Sequence, residues 1–203
     1  MTDRTPTSDS APADIASAVA ITGPARHPGP EEIIPPGVVP ELPEKEPDAF
    51  LAPLLEPFEG ARLEDSHGQE VLRLDRSRLL EFARAAKDAG FESCADVTAV
   101  DWYRHRRVRF DLVVNLLSRR HRRRLRVAVA IPGDDPRVDS IVSVWPGASY
   151  GEREVYDMFG IVFDGSPDPS RILMPDDWVG HPLRKDFGVG SVPVQFKDSH
   201  KVT

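Results

Sequence analysis

Three carboxylates, Glu152, Glu154 and Asp157, crowd one short stretch, and paired carboxylates are the groups that general acid–base chemistry uses. Glu154 and Asp157, at i and i+3, are expected to share a helix face, with Arg153 on a different part of the same helix. Neither a nucleophile nor a metal set accompanies them, so the spacing reads as a solvated, charge-balanced helix or, as a function, a salt-bridge network to a partner. His181 beside Asp176 and Asp177 suggests a metal, yet a lone His with two Asp and no second His or Cys close by is a poor ligand set. His27, His67, His105, His121 and His200 are scattered. Arginines crowd two places: Arg104, Arg106, Arg107 and Arg109, then Arg119, Arg120, Arg122, Arg123 and Arg124. Clustered Arg fits phosphate, but no aromatic residues interleave with the second group as a stacking platform. Both groups together read as a solvated loop near acidic partner surface or lipid headgroups. Gly188-Val189-Gly190 is a bare G-x-G without the strand-to-helix turn of a nucleotide fingerprint.

The elements that must hold these groups follow from periodicity. Glu70–Leu74 reads as a short strand. Asp75 is an N-cap for a helix over Arg76–Ala89, with Leu79, Leu80, Ala83 and Ala86 at helical spacing and Gly90 closing it. Phe91–Tyr103 holds a strand marked by Val97 and Val100. Val108, Phe110, Leu112, Val114 and Leu116 alternate strictly, so 108–117 is a half-buried strand. Ser118–Arg124 is its turn, and Leu125–Ile131 returns as the second arm of a long hairpin. Asp139–Trp145 is expected as one more strand and Ala148–Phe159 as the second helix. The fold class is therefore α+β, a mainly antiparallel or mixed sheet with two helices packed on it and extended arms at both ends.

Composition divides the chain near Phe58. Residues 1–57 carry ten acids, three bases and 12 of the 20 prolines, while residues 58–203 carry 23 acids and 23 bases. The first segment reads as an arm, disordered or docked on a neighbour through Ile33-Ile34, Val38-Val39 and Phe50-Leu51. The globular domain is expected over 58–160 and an extended, proline-punctuated docking segment over 161–203. Net charge is −7, which does not favour nucleic acid or anionic lipid in bulk. The single cysteine, Cys94, excludes an internal disulfide and a cysteine-ligated iron–sulfur cluster, and reads as a small buried hydrophobe. Apolar runs fall short of the ~20 residues of a membrane helix. The acidic, Arg-poor N-terminus reads as neither a signal peptide nor a mitochondrial presequence, which fits a bacterial protein.

The stretch Gly151–Phe187 holds E-R-E with an acid three residues on, then R-I-L, D-D-W and H-P-L-R-K-D-F. This resembles the signature of the C-subunit family of NADH-quinone oxidoreductase, respiratory complex I. The resemblance covers about Phe58 to Val194 and is strongest after Ser140. It implies a scaffold without catalytic, cofactor or metal residues of its own, FMN and iron–sulfur clusters lying in partner subunits. Its position is at the base of the hydrophilic arm, chiefly against the quinone-site D subunit and beside the terminal-cluster B subunit, with neither nucleic acid nor a membrane span. It further implies a peripheral place on the cytoplasmic side of a bacterial plasma membrane. Glu152, Arg153, Glu154, Asp157, Asp177, Trp178, His181, Arg184, Lys185 and Asp186 match the pattern and are the implied subunit-interface residues. Ser166, Pro169-Ser170 and Tyr150 depart from it, standing where the family usually has His, Leu-Arg and Trp. The same module occurs in membrane-bound hydrogenases, which is the second reading; a free-standing Arg-rich RNA-binding protein is the third.

Overall fold

Two apolar rows running across a sheet organise the molecule. In a computed structural model, which describes residues 42–188, Val97, Val114, Val127 and Leu72 stand side by side on four neighbouring strands. Ala99, Leu112, Val129 and Leu74 form the next row, and seven of these eight side chains are at most 6% exposed. The strands are β1 (Arg62–Ser66), β2 (Gln69–Leu74), β3 (Ser93–Asp101), β4 (Phe110–Ser118) and β5 (Arg123–Ile131), in sheet order β1-β2-β5-β4-β3. All pairs are antiparallel except β2 with β5. Period-two alternation puts these valines and leucines on one face, so the sheet buries that face and leaves Arg73, Ala128, Val113 and Thr98 on the other.

Helices cover the apolar face. Asp75 Oδ1 accepts the N–H of Ser77 and caps a 3-10 turn at Arg76–Arg78, which runs into α2 (Leu79–Asp88) after the short α1 (Ala52–Leu55). α2 turns Leu79, Phe82, Ala83 and Ala86 inward. α3 (Ala148–Phe159) packs on β3 and is the second helix expected from the sequence. Gly151 permits this approach, since a Cβ there would lie 2.9 Å from Val97 Cβ and from its carbonyl oxygen. A small parallel pair, β6 (Arg137–Asp139) and β7 (Val162–Asp164), flanks α3.

One expected element is absent. Asp139–Trp145 is not a strand; β6 ends at Asp139 and the chain coils, with the Val144 and Trp145 amides both donating to Ile141 O. Ile141 and Trp145 match a strand's alternation and one helical turn equally well, and the buried Glu152 carboxylate decides between them. It accepts the Ser140 hydroxyl at 2.7 Å and the Ile141 N–H at 2.8 Å, so that amide is taken from any ladder. The core also extends beyond residues 58–160. Leu51 and Leu54 pack into it from one side, Ile161 and Phe163 from the other. The anchors Ile33-Ile34 and Val38-Val39, and the segment 189–203, lie outside the described residues.

Candidate docking face

The C-terminal end of α3 is a binding site for the chain's own continuation. Gly160 ends the helix in the left-handed region (φ 75°), which turns the chain back, and a Cβ there would meet His181 Nε2 at 2.6 Å. Residues 166–187 then return across the domain as a strap. Asp157, with no exposure, holds its middle: Oδ2 accepts the N–H groups of Ile172 (3.1 Å), Leu173 (2.8 Å) and Met174 (2.8 Å), and Oδ1 pairs with Arg171. Burial pushes this carboxyl up, but the Met174 and Leu173 amides, Arg171 and the Ile172 amide outweigh it and hold it below the usual range. Arg171 also donates to Gly180 O at 3.1 Å. His181 Nδ1 bonds Asp157 O at 3.0 Å, which makes it the protonated nitrogen of the ring; burial lowers its pKa and keeps the ring neutral. Arg153 donates to the carbonyls of Ser170 and Arg171.

The far end of the strap is tied to the sheet. Arg109, 1% exposed, donates to both oxygens of Asp101 (3.0 and 2.8 Å) and to both of Asp186 (3.0 and 2.6 Å). The Lys185 amide donates to Asp101 Oδ2 at 2.8 Å. A planar guanidinium that meets two carboxylates bidentately is well matched in geometry, and the Asp186 carboxyl, which burial pushes up, is pulled below its usual range by Arg109. Asp101 could have been found in sequence. Val97, Ala99 and Asp101 are in register on the inner face, so a charge at the third position requires a buried counter-charge. Arg109 is thus no part of a solvated basic loop, and Arg106 is likewise paired, with Asp111 at 2.8 Å.

The ten residues singled out in sequence divide by exposure and by where their polar atoms go. Glu152, Arg153, Asp157, His181, Arg184 and Asp186 are buried or half-buried and spend their polar atoms inside the chain. Glu152 differs from Asp157, since burial raises its pKa and only a hydroxyl and one amide oppose that. Glu154 and Asp157 do not act together; Glu154 is exposed and Asp157 is not. Glu154, Asp177 and Lys185 point to water. Trp178 is half-buried, and its Nε1 is buried without a hydrogen-bond partner. The strap also exposes Leu173 (60%), Val179 (67%) and Leu183 (51%). Among the described residues no three His, Cys, Asp or Glu side chains come together as a metal site. An open concavity of about 810 Å3 on the outer sheet face is lined by charges that neutralise one another: Asp111 Oδ2 alone accepts Arg73, Trp102 and Arg106.

Residues 72–192, which include α3 and the strap, match the family of the respiratory-chain NADH dehydrogenase 30 Kd subunit. The chain belongs to that family. The C subunit of NADH-quinone oxidoreductase from Saccharopolyspora erythraea is 50% identical over 133 residues, 64% of this chain and 53% of that protein. Its counterpart from a Nocardioides species is 47% identical over the same shares. The chain spans about half the length of the curated relatives it matches. Among solved structures, a trypsin-resistant fragment of Nqo5 is 35% identical with a TM-score of 0.55, covering 59% of this chain and 98% of the fragment. A chain of an archaeal membrane-bound sulfane sulfur reductase reaches a TM-score of 0.57 at 23% identity, over 74% of this chain and 95% of its own, and shares the fold.

Proposed function

We propose that this chain is the non-catalytic scaffold subunit of a bacterial NADH-quinone oxidoreductase. It sits in the hydrophilic arm, peripheral to the cytoplasmic side of the plasma membrane, chiefly against the quinone-site D subunit and beside the terminal-cluster B subunit. There it supports electron transfer from NADH to quinone, through FMN and iron–sulfur clusters held by its partners. The observation that carries this reading is the strap. It is fixed from beneath by buried ion pairs, yet presents Leu173, Val179 and Leu183 to water. Exposed apolar side chains on a rigid backing are what a partner surface covers. Glu154, Asp177 and Lys185 supply a polar rim. Glu152, Arg153, Asp157, His181, Arg184 and Asp186 then serve the interface by shaping the strap. Docking by residues 161–203, and by the arm before residue 58, belongs to this reading.

Affinity purification of the tagged chain in mild detergent, with mass spectrometry of what accompanies it, tests the proposal. The quinone-site and terminal-cluster subunits are expected in stoichiometric amount, and Leu183→Asp should release them while the free chain keeps its stability. Recovery of the complex undiminished by Leu183→Asp together with Trp178→Ala would remove the strap from the interface.

A further inference from the structure

We propose that the loop joining β3 to β4, with the Leu183–Lys185 end of the strap, docks an acidic segment of the partner subunit that covers the strap; this rests on the proposed function. Buried contacts bring the two stretches together. Arg109 bonds both Asp101 and Asp186, while Asp101 accepts the Lys185 amide on one oxygen and the Tyr103 amide on the other. The loop is a formed turn, since the His105 and Arg106 amides both donate to Trp102 O, at 2.7 and 3.2 Å. Its guanidinium groups rest on its own rings, Arg106 over Trp102 at 4.3 Å and Arg104 over Tyr103 at 5.4 Å.

Charge is unbalanced there. Residues 101–111 and 181–187 together carry six Arg and Lys against three Asp and no Glu. All three carboxylates are turned inward and taken: Asp101 by Arg109, Asp111 by Arg73 and Arg106, Asp186 by Arg109 and Arg184. Arg104, Arg107 and Lys185 are exposed, and among the described residues none of them pairs with a carboxylate. The β4–β5 turn differs: Glu92 accepts the Arg119 and Arg120 amides, and Asp48 and Glu70 pair with Arg123, so that turn draws acids from its own chain. Val108, next to Arg107 in sequence, and Leu183, two before Lys185, are exposed as well. Cations spread over a loop and a strap, with aliphatic neighbours, suit carboxylates spaced along a polypeptide, whereas one phosphate needs them to converge. Residues 58–203 carry 23 acids and 23 bases, so nothing draws the domain as a whole to an anionic bilayer.

Nuclear magnetic resonance of the isolated full chain, titrated with hexaglutamate at low salt, tests this. Amides 103–108 and 183–186 should shift together. Arg104→Gly, Arg107→Gln and Lys185→Gln in one chain should weaken that binding about tenfold, as a few exposed ion pairs acting together give. Gly suits the φ of 65° at Arg104, so this variant should keep the wild-type urea midpoint. The shifts should disappear at ~1 M salt, where the screening length is about 3 Å. Shifts confined to the β4–β5 turn, or undiminished in the variant, overturn the proposal. Phosphatidylglycerol vesicles or polyuridylate that move the same amides at lower charge concentration also overturn it. In the affinity purification above, the variant should lose its partners at lower salt than the wild type. A wild-type chain that brings down no partner defeats the docking reading itself; a variant that holds its partners as firmly as the wild type defeats only the acidic contact.

Discussion

Replacing Asp157 by Ala removes the post to which the strap is tied. Three amides and one guanidinium lose their acceptor at once. Hydrogen bonds to a charged group contribute about 1.5–3 kcal/mol each, but the sum overshoots, because an opened strap offers those amides to water. The lasting cost is Arg171, whose side chain is 13% exposed and would lie beside the cavity without its counter-charge. Breaking one member of a buried pair costs about 3–5 kcal/mol, and the partial exposure here argues for the lower end. A loss of about 3 kcal/mol raises the open population of the strap roughly 100-fold. Native-state hydrogen exchange should therefore show amides 172–187 opening about 100-fold more readily in Asp157→Ala. Amides of β4 and β5 should change far less, because the sheet does not depend on the strap. Asp157→Asn, which keeps a neutral acceptor, should fall between. An Asp157→Ala protein whose strap opens less than about threefold more often would refute the anchoring role.

Gly160→Ala should destabilise the domain by about 1–3 kcal/mol, seen as a lower urea midpoint, because φ 75° strains an L-residue and the new methyl meets His181. Asp157 and Asp186 have lowered folded pKa values, so their stabilisation is complete above the ordinary value of 3.8 and is lost as pH falls through the lower folded values; strap protection followed by hydrogen exchange should fail there. Glu152 has the opposite sign: its raised value means stability declines as pH rises from 4.5 through the folded value, and Glu152→Gln should flatten the urea midpoint across that window. Burial pushes the Cys94 thiol up to about 11, so iodoacetamide at pH 8 should alkylate it slowly in the native chain and rapidly in urea.

The sheet was legible because its apolar residues alternate without interruption; β4 and β5 begin and end within two residues of where period two places them. α3 was legible through its i, i+3 and i+4 apolar pattern and the glycine that ends it. β1 was missed because Arg62–Ser66 carries one buried side chain, Leu63, and an edge strand needs little more. The strap's course could not be read, since it has no period. Its path is set by Asp157 and by Arg109 with Asp101, groups whose partners are 14 to 84 positions away. Family pattern singled out Asp157 and Asp186, but only the structure shows that they face inward.

Arg109 and Asp186 are 77 residues apart in the chain. Closing so long a loop is entropically costly until the sheet exists, so the strap is expected to lock late, after β3 and β4 have set Asp101 beside Arg109. The strap's exposed face thus takes its final shape only on a chain whose hairpin has folded in register. A chain with a slipped hairpin would leave Asp186 without its guanidinium and the strap without a backing. On the proposed function, assembly of the larger complex would then pass over misfolded copies, because the surface it would recognise is expected to be the last part of the chain to form.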